Sequence, residues 1–135
     1  MVEAQISKII IDEEKREQLI ILKEKNGNRI LPIIIGLVEA TAIKMKLSGY
    51  VPPRPLTHDL MCNIITELGV NLEKVVIDKL LDNTFHAKLY LCKNGVIKIV
   101  DARPSDSIAL AVRTKSPIFI EEEVFEKLSK DEFSF

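Results

Sequence analysis

Residues 84–110 read TFHAKLYLCKNGVIKIVDARPSDSIAL. Over residues 84–92 apolar and polar residues alternate, with Phe85, Ala87, Leu89 and Leu91 on one side, the pattern of a strand with one buried face. Asn94-Gly95 follows, and a tight primed turn needs residues that tolerate positive φ, so the dipeptide predicts a hairpin. Val96–Ala102 is then the returning strand. Pro104 has no N–H to leave unpaired and suits the first helical position, so residues 104–115 read as a helix, with Pro117 beyond its end.

Working outward, residues 72–80 form a further strand, joined to the hairpin by a turn at Asp82-Asn83. Near the N-terminus the same grammar recurs. Val2–Ile11 is a strand that becomes continuously apolar, the charged residues 12–17 turn the chain, and residues 18–23 and 29–35 are two more strands around Asn26-Gly27. Pro32 cannot donate to a ladder, which places it at an edge or bulge. Leu37–Leu47 reads as a helix with Val38, Ala42 and Met45 on one face, ended near Gly49. Three prolines in residues 50–56 (YVPPRPL) exclude helix and central strand. A second helix starts at Thr57, a good N-cap, carries an apolar stripe of Leu60, Met61, Ile64, Ile65 and Leu68, and closes at Gly69. After the third helix, Ile118–Ile120 is a short strand and residues 121–130 a last short helix.

The two Asn-Gly turns lie 68 residues apart, and a shift of 67 superimposes Glu39-Ala40-Thr41-Ala42-Ile43 on Asp106-Ser107-Ile108-Ala109-Leu110 and Lys46 on Arg113. The inferred architecture is a single α+β domain, residues 1–135. It is built by internal duplication of a strand-strand-strand-helix-helix unit, with halves of about 1–68 and 69–135 and two three-stranded sheets sharing one core.

The chain has 135 residues, 47% apolar and 29% charged, with a formal net charge of −1. That is enough for one core without staples. It argues against a large phosphate-tracking surface while leaving room for a small basic site. Aromatic residues make up 5% and tryptophan is missing, so an extended base-stacking platform is not expected. Cys62 and Cys92 form no CxxC unit and read as reduced, packed residues. No apolar run is long enough to span a bilayer and the N-terminus does not resemble a signal peptide, so the expected location is cytoplasmic.

Two segments concentrate chemistry. In residues 54–60 (RPLTHDL) Arg54 suits a phosphate, and His58 and Asp59 occupy a first helical turn, where free N–H groups attract anions. His58 could act as a base and Asp59 could orient it or hold a metal. The plainer reading is a helix cap and a solvated histidine. In residues 101–107 (DARPSDS) Asp101 and Asp106 are oxygen donors suited to Mg²⁺, Arg103 could stabilise charge on a phosphate, and Ser105 and Ser107 could cap the helix or bond a substrate. Here the plainer reading is a cap plus an Asp–Arg pair that stiffens the loop. Under the duplication Glu39 is the counterpart of Asp106, which brings it into the same candidate set. His86, on the polar side of its strand, reads as a surface residue.

At these segments the chain resembles the bifunctional nuclease domain family, through LPIIIGLVEATAI (31–43), PPRPLTHDLM (52–61), DNTFHAKL (82–89) and DARPSDSIALAVRTKSPIFI (101–120). His86 stands where an aromatic residue is common in that family. The resemblance implies activity on RNA and DNA. With the clustered residues it gives the leading expectation of a metal-assisted nuclease cleaving phosphodiester bonds in nucleic acid. Asp101, Asp106 and Glu39 would hold Mg²⁺ or Mn²⁺; His58, Asp59, Asp101 and Asp106 would be catalytic; Arg54, Arg103 and Ser105 would hold phosphate. The alternative is a non-catalytic homo-oligomeric binding or scaffold module. A homodimer is expected in either case.

Overall fold

The computed structural model describes residues 1–12, 14 and 17–131. In chain order the elements are β1 (Val2–Ile11), β2 (Gln18–Glu24), β3 (Ile30–Ile35), α1 (Leu37–Leu47), α2 (Thr57–Glu67), β4 (Asn71–Leu81), β5 (Thr84–Lys93), β6 (Val96–Ala102), α3 (Pro104–Thr114), β7 (Ile118–Ile120) and α4 (Glu122–Asp131). The expected strands and helices are therefore all present, in an α+β arrangement. Among the described residues no helix is long and apolar enough to cross a membrane.

The expectation of two separate three-stranded sheets is corrected. One seven-stranded sheet runs in the order β3-β2-β1-β7-β4-β5-β6. The two antiparallel meanders are stitched together by β7, which pairs antiparallel with β1 (Val2↔Ile120) and parallel with β4 (Val75↔Ile118). Three residues suffice because Ile118 and Ile120 are both buried. The inner edges of both meanders thus find their backbone partners in one short strand.

Turn chemistry separates the two Asn-Gly sites. Asn94 and Gly95 both adopt positive φ and connect β5 to β6 directly, with Lys93 opposite Val96. Asn26-Gly27 does not form the expected primed turn, since neither residue has positive φ. The register pairs Lys23 with Ile30, and Glu24 N–H bonds the Arg29 carbonyl at 3.0 Å, which leaves a longer loop than a two-residue turn can close. Asp82 and Asn83 make the β4–β5 turn with positive φ at both positions. Pro32 sits on β3, at the sheet edge, as expected. The expected turn over residues 12–17 lies largely outside the described residues. At its border the buried Gln18 accepts from Asp12 N–H at 2.7 Å and donates to the Asp12 carbonyl at 3.2 Å.

The core gathers Ile20, Leu22, Leu31, Ile33, Val75, Ile77 and Leu89 from the sheet with Ile43, Ile108 and Val124 from the helices. α1 packs on β1 and β2, α3 on β4 and β5, and α4 on β4, while α1 and α2 lie against α3. Two helical faces differ from the sequence reading. In α1 the buried residues are Ala40 and Ile43, and Val38 is 79% exposed. In α2 the inward residues are His58, Cys62 and Ile65, at helical spacing, while Leu60, Met61, Ile64 and Leu68 are exposed. The reason is that α2 rests chiefly on α3 instead of on the sheet, so the polar start of the helix is what it buries.

Arg113, 5% exposed at its side chain, joins the three helices. Its Nε donates to Asp59 Oδ1 at 2.7 Å, Nη1 to the Ala109 carbonyl at 2.9 Å, and Nη2 to the Ala42 carbonyl at 3.4 Å. A lysine keeps the charge but not the fork. Arg113→Lys is expected to lower stability in urea unfolding by about 1.5–3 kcal/mol, the scale of hydrogen bonds to a charged group. A loss below measurement error would show the fork to be dispensable.

Candidate functional site

Three helix starts converge. α1 begins after Gly36 and places Glu39 in its first turn. α3 begins after Arg103, whose backbone is the N-cap, with Pro104 opening the helix and Asp106 in its first turn. α2 has Leu56 as N-cap and Thr57 already inside the helix, which corrects the expected Thr57 cap. Leucine offers no side-chain acceptor, and Asp59 supplies the missing link by accepting from Leu56 N–H at 3.0 Å.

The resulting cluster is continuous. His58, buried at 9% exposure, places Nε2 at 3.0 Å from Asp106 Oδ1. Arg103 donates from Nε to Asp106 Oδ2 at 2.9 Å and from Nη2 to Asp106 Oδ1 and Glu39 Oε1, both at 3.2 Å. Ser107 donates to the Arg103 carbonyl at 3.0 Å, which holds the N-cap residue. Burial alone would raise the Asp106 carboxyl, but hydrogen bonds from Arg103 and His58 outweigh it and hold it below the usual carboxylate range. An ionised carboxylate only accepts, so Nε2 of His58 carries the proton and, in the neutral ring, Nδ1 is the free nitrogen.

Glu39, His58, Arg103 and Asp106 are therefore brought together as one array. The other expected residues go elsewhere. Asp59 is engaged by Leu56 N–H and Arg113; burial tends to raise its carboxyl, and those bonds bring it below the usual range. Asp101, 74% exposed, pairs with Lys88 at 2.9 Å, which lowers its carboxyl, and Lys88 also reaches Asp78 at 3.4 Å. The expected metal trio of Asp101, Asp106 and Glu39 does not gather, because Lys88 holds one member and Arg103 the other two. Among the described residues no three His, Cys, Asp or Glu side chains group as a metal cage. Ser105 is buried and is not offered at the surface. Arg54 is exposed. Cys62 and Cys92 are free and partly buried, and burial pushes the Cys62 thiol up.

A family model described as the bifunctional nuclease domain matches residues 20–132. The chain belongs to the bifunctional nuclease domain family. An uncharacterized protein of Mycobacterium tuberculosis is 45% identical over 124 residues, covering 92% of this chain and 74% of that protein. Bifunctional nuclease 2 of Oryza sativa subsp. japonica is 30% identical over 112 residues, 80% of this chain and 34% of the rice protein. Bifunctional nuclease 1 of Arabidopsis thaliana is 29% identical over 103 residues, 73% of this chain and 32% of the plant protein. The chain thus spans about a third of each plant relative.

Two contributors escaped the sequence reading. Arg113 was visible only as the counterpart of Lys46, with nothing to mark it as buried. At Gly36 an added Cβ would collide with the Glu39 carboxylate, so glycine at this strand-to-helix junction lets Glu39 fold back toward Arg103. The one signal was a glycine just before a helix start.

A carboxyl with a lowered folded pKa stabilises the fold above its unfolded value, about 3.9 for Asp. That contribution is lost as pH falls through the folded value. Asp106→Asn is accordingly expected to be less stable than the parent at neutral pH and to lose less on acidification. Urea midpoints from about pH 7 to pH 2 measure this, and parallel curves would rule out the ionised Asp106 array.

Proposed function

We propose that this chain is a phosphodiesterase acting on DNA or RNA, with its reaction centre at His58, Asp106, Arg103 and Glu39. The observation that carries the reading is the hydrogen-bonded series His58–Asp106–Arg103. It combines a histidine oriented by a carboxylate with a guanidinium at the same helix starts. In the reaction His58 Nδ1 takes a proton from water, the oxygen so activated attacks phosphorus, and the bond to the leaving oxygen breaks. Asp106 holds the ring in the required tautomer and stabilises the imidazolium that forms. Arg103, 65% exposed, presents its outer face to the equatorial phosphate oxygens, where negative charge develops. Membership of the bifunctional nuclease domain family supports the substrate class.

Metal assistance by Mg²⁺ or Mn²⁺ is part of this proposal in a reduced form. Glu39 and Asp106 are two hard oxygen donors on either side of Arg103, so an ion would have to take the place of that guanidinium between them. Mg²⁺ is commonly bound by one or two carboxylates plus the substrate's own phosphates. Those two residues would hold the ion, and Asp101 would not. When bound it would supply Lewis-acid stabilisation of the phosphate charge.

A second reading, a non-catalytic homo-oligomeric module in the cytoplasm, is favoured by one observation: the apolar face of α2 and the edge strand β6 both expose large side chains, among them Leu60, Ile64, Ile97 and Ile99. Self-association is compatible with either reading, and light scattering would score the proposed dimer. The internal duplication also remains a proposal. It is supported by the repeated strand, strand, strand, helix order and by Glu39 and Asp106 meeting at one arginine.

The test is incubation of the purified chain with single- and double-stranded RNA and DNA, with Mg²⁺, with Mn²⁺ and after chelation. Cleavage is expected to fall by about 10²–10³ in kcat for His58→Ala and Asp106→Asn, the scale of lost base and electrostatic contributions. Full cleavage by folded variants would remove the reaction centre from this cluster.

A further inference from the structure

A cleft of about 230 Å³, lined at the α2 first turn by Asp59 and not by His58, lies between the end of α1, the proline loop and α2. Its walls are carbon: Met45, Tyr50, Pro52, Pro53 and Pro55. Its polar lining comes from Lys46, Asp59, Asn63 and Arg113. The volume is just under the roughly 300 Å³ at which small-molecule sites begin, so it suits one ring system and not a length of polymer.

Two observations say what chemistry the cleft would take. Arg113 has five N–H donors, and its bonds to Asp59, Ala109 and Ala42 use three of them. A side chain so buried keeps spare donors in a group that lines the cleft. Arg54 is not itself part of the lining, but it is exposed and lies in sequence between the lining residues Pro53 and Pro55, within reach of the cleft for a long side chain. Among the described residues it is the one arginine with no hydrogen bond or ion pair, whereas Arg29, Arg103 and Arg113 are each paired. Lys46 and Arg113 against Asp59 leave the lining one positive charge in excess. The complementary ligand is an anion with a flat body.

We infer that the cleft binds a single nucleotide unit, its base against Tyr50 and the prolines and its phosphate at Arg54 and Lys46. The choice of a nucleotide among flat anions rests on the nuclease reading. His58 and Asp59 are consecutive, one bonded to Asp106 and the other lining the cleft, so a nucleotide held here is a neighbour of the proposed reaction centre. This gives Arg54 the phosphate contact expected of it from sequence.

The experiment is an ¹⁵N–¹H NMR titration of the full chain with AMP, UMP and inorganic phosphate, beside a 5′-phosphorylated oligonucleotide that separates a strand end from a free nucleotide as the source. Saturable shifts confined to residues 45–63 and Arg113 are expected. Arg54→Ala and Tyr50→Ala, both at exposed positions, should each weaken binding by about tenfold, while Lys98→Ala, an exposed cation on β6, should not. No saturation by about 10 mM nucleotide, shifts centred elsewhere, or equal affinity for inorganic phosphate would overturn the proposal. Mononucleotides contain no internucleotide phosphodiester bond, so the two readings fail separately. A chain that cuts nucleic acid but binds no nucleotide here loses only the cleft, and one that binds but does not cut loses only the reaction centre.

Discussion

A single buried guanidinium orders the helical layer. Arg113 gives one bond each to α1, α2 and α3, and its carboxylate partner, Asp59, also closes the start of α2. Removing a charge from water is costly, and such a pair adds little net stability over a well-packed apolar substitute. Its value here is positional. α2 lies chiefly against α3 and leaves Leu60, Met61, Ile64 and Leu68 in solvent, so burial of Cys62 and Ile65 only weakly sets its rotation. The Arg113–Asp59 bond fixes it, and one residue earlier His58 is thereby turned onto Asp106.

The sheet solves a parallel problem with backbone instead of charge. Each meander has two edges, and β7 satisfies the inner edge of both. At the outer edges the solutions differ. β3 carries Pro32, which has no N–H to offer a further strand. β6 is an open edge with exposed Val96, Ile97, Ile99 and Val100, the kind of edge that natural proteins usually cover or charge.

The charged residues of the cluster are paired with one another. Asp106 takes bonds from His58 and Arg103, Glu39 from Arg103, Asp59 from Arg113, and Asp101 from Lys88. A near-neutral chain can therefore hold a dense ionic cluster without a strong external field. The one described arginine left without a partner, Arg54, lies in sequence between Pro53 and Pro55 of the cleft.

Periodicity and turn residues were enough to place the elements: alternation over residues 84–92 followed by Asn94-Gly95, which tolerates positive φ, marked a hairpin, and Pro104 marked a helix start, because these preferences are local. The motifs RPLTHDL and DARPSDS likewise carried the family and three residues that do meet, His58, Arg103 and Asp106, and the expected repeat supplied the fourth, Glu39. What needed tertiary structure was every choice between partners. Asp59 and Asp106 are both acids in the first turn of a helix, yet one is tied to Arg113 and the other to His58 and Arg103. Asp101 was drawn away by Lys88, the two expected sheets are one sheet through three residues of β7, and most of the apolar stripe of α2 turned outward. Such pairings depend on which side chains are brought together from distant parts of the chain, and a local pattern has no information about that.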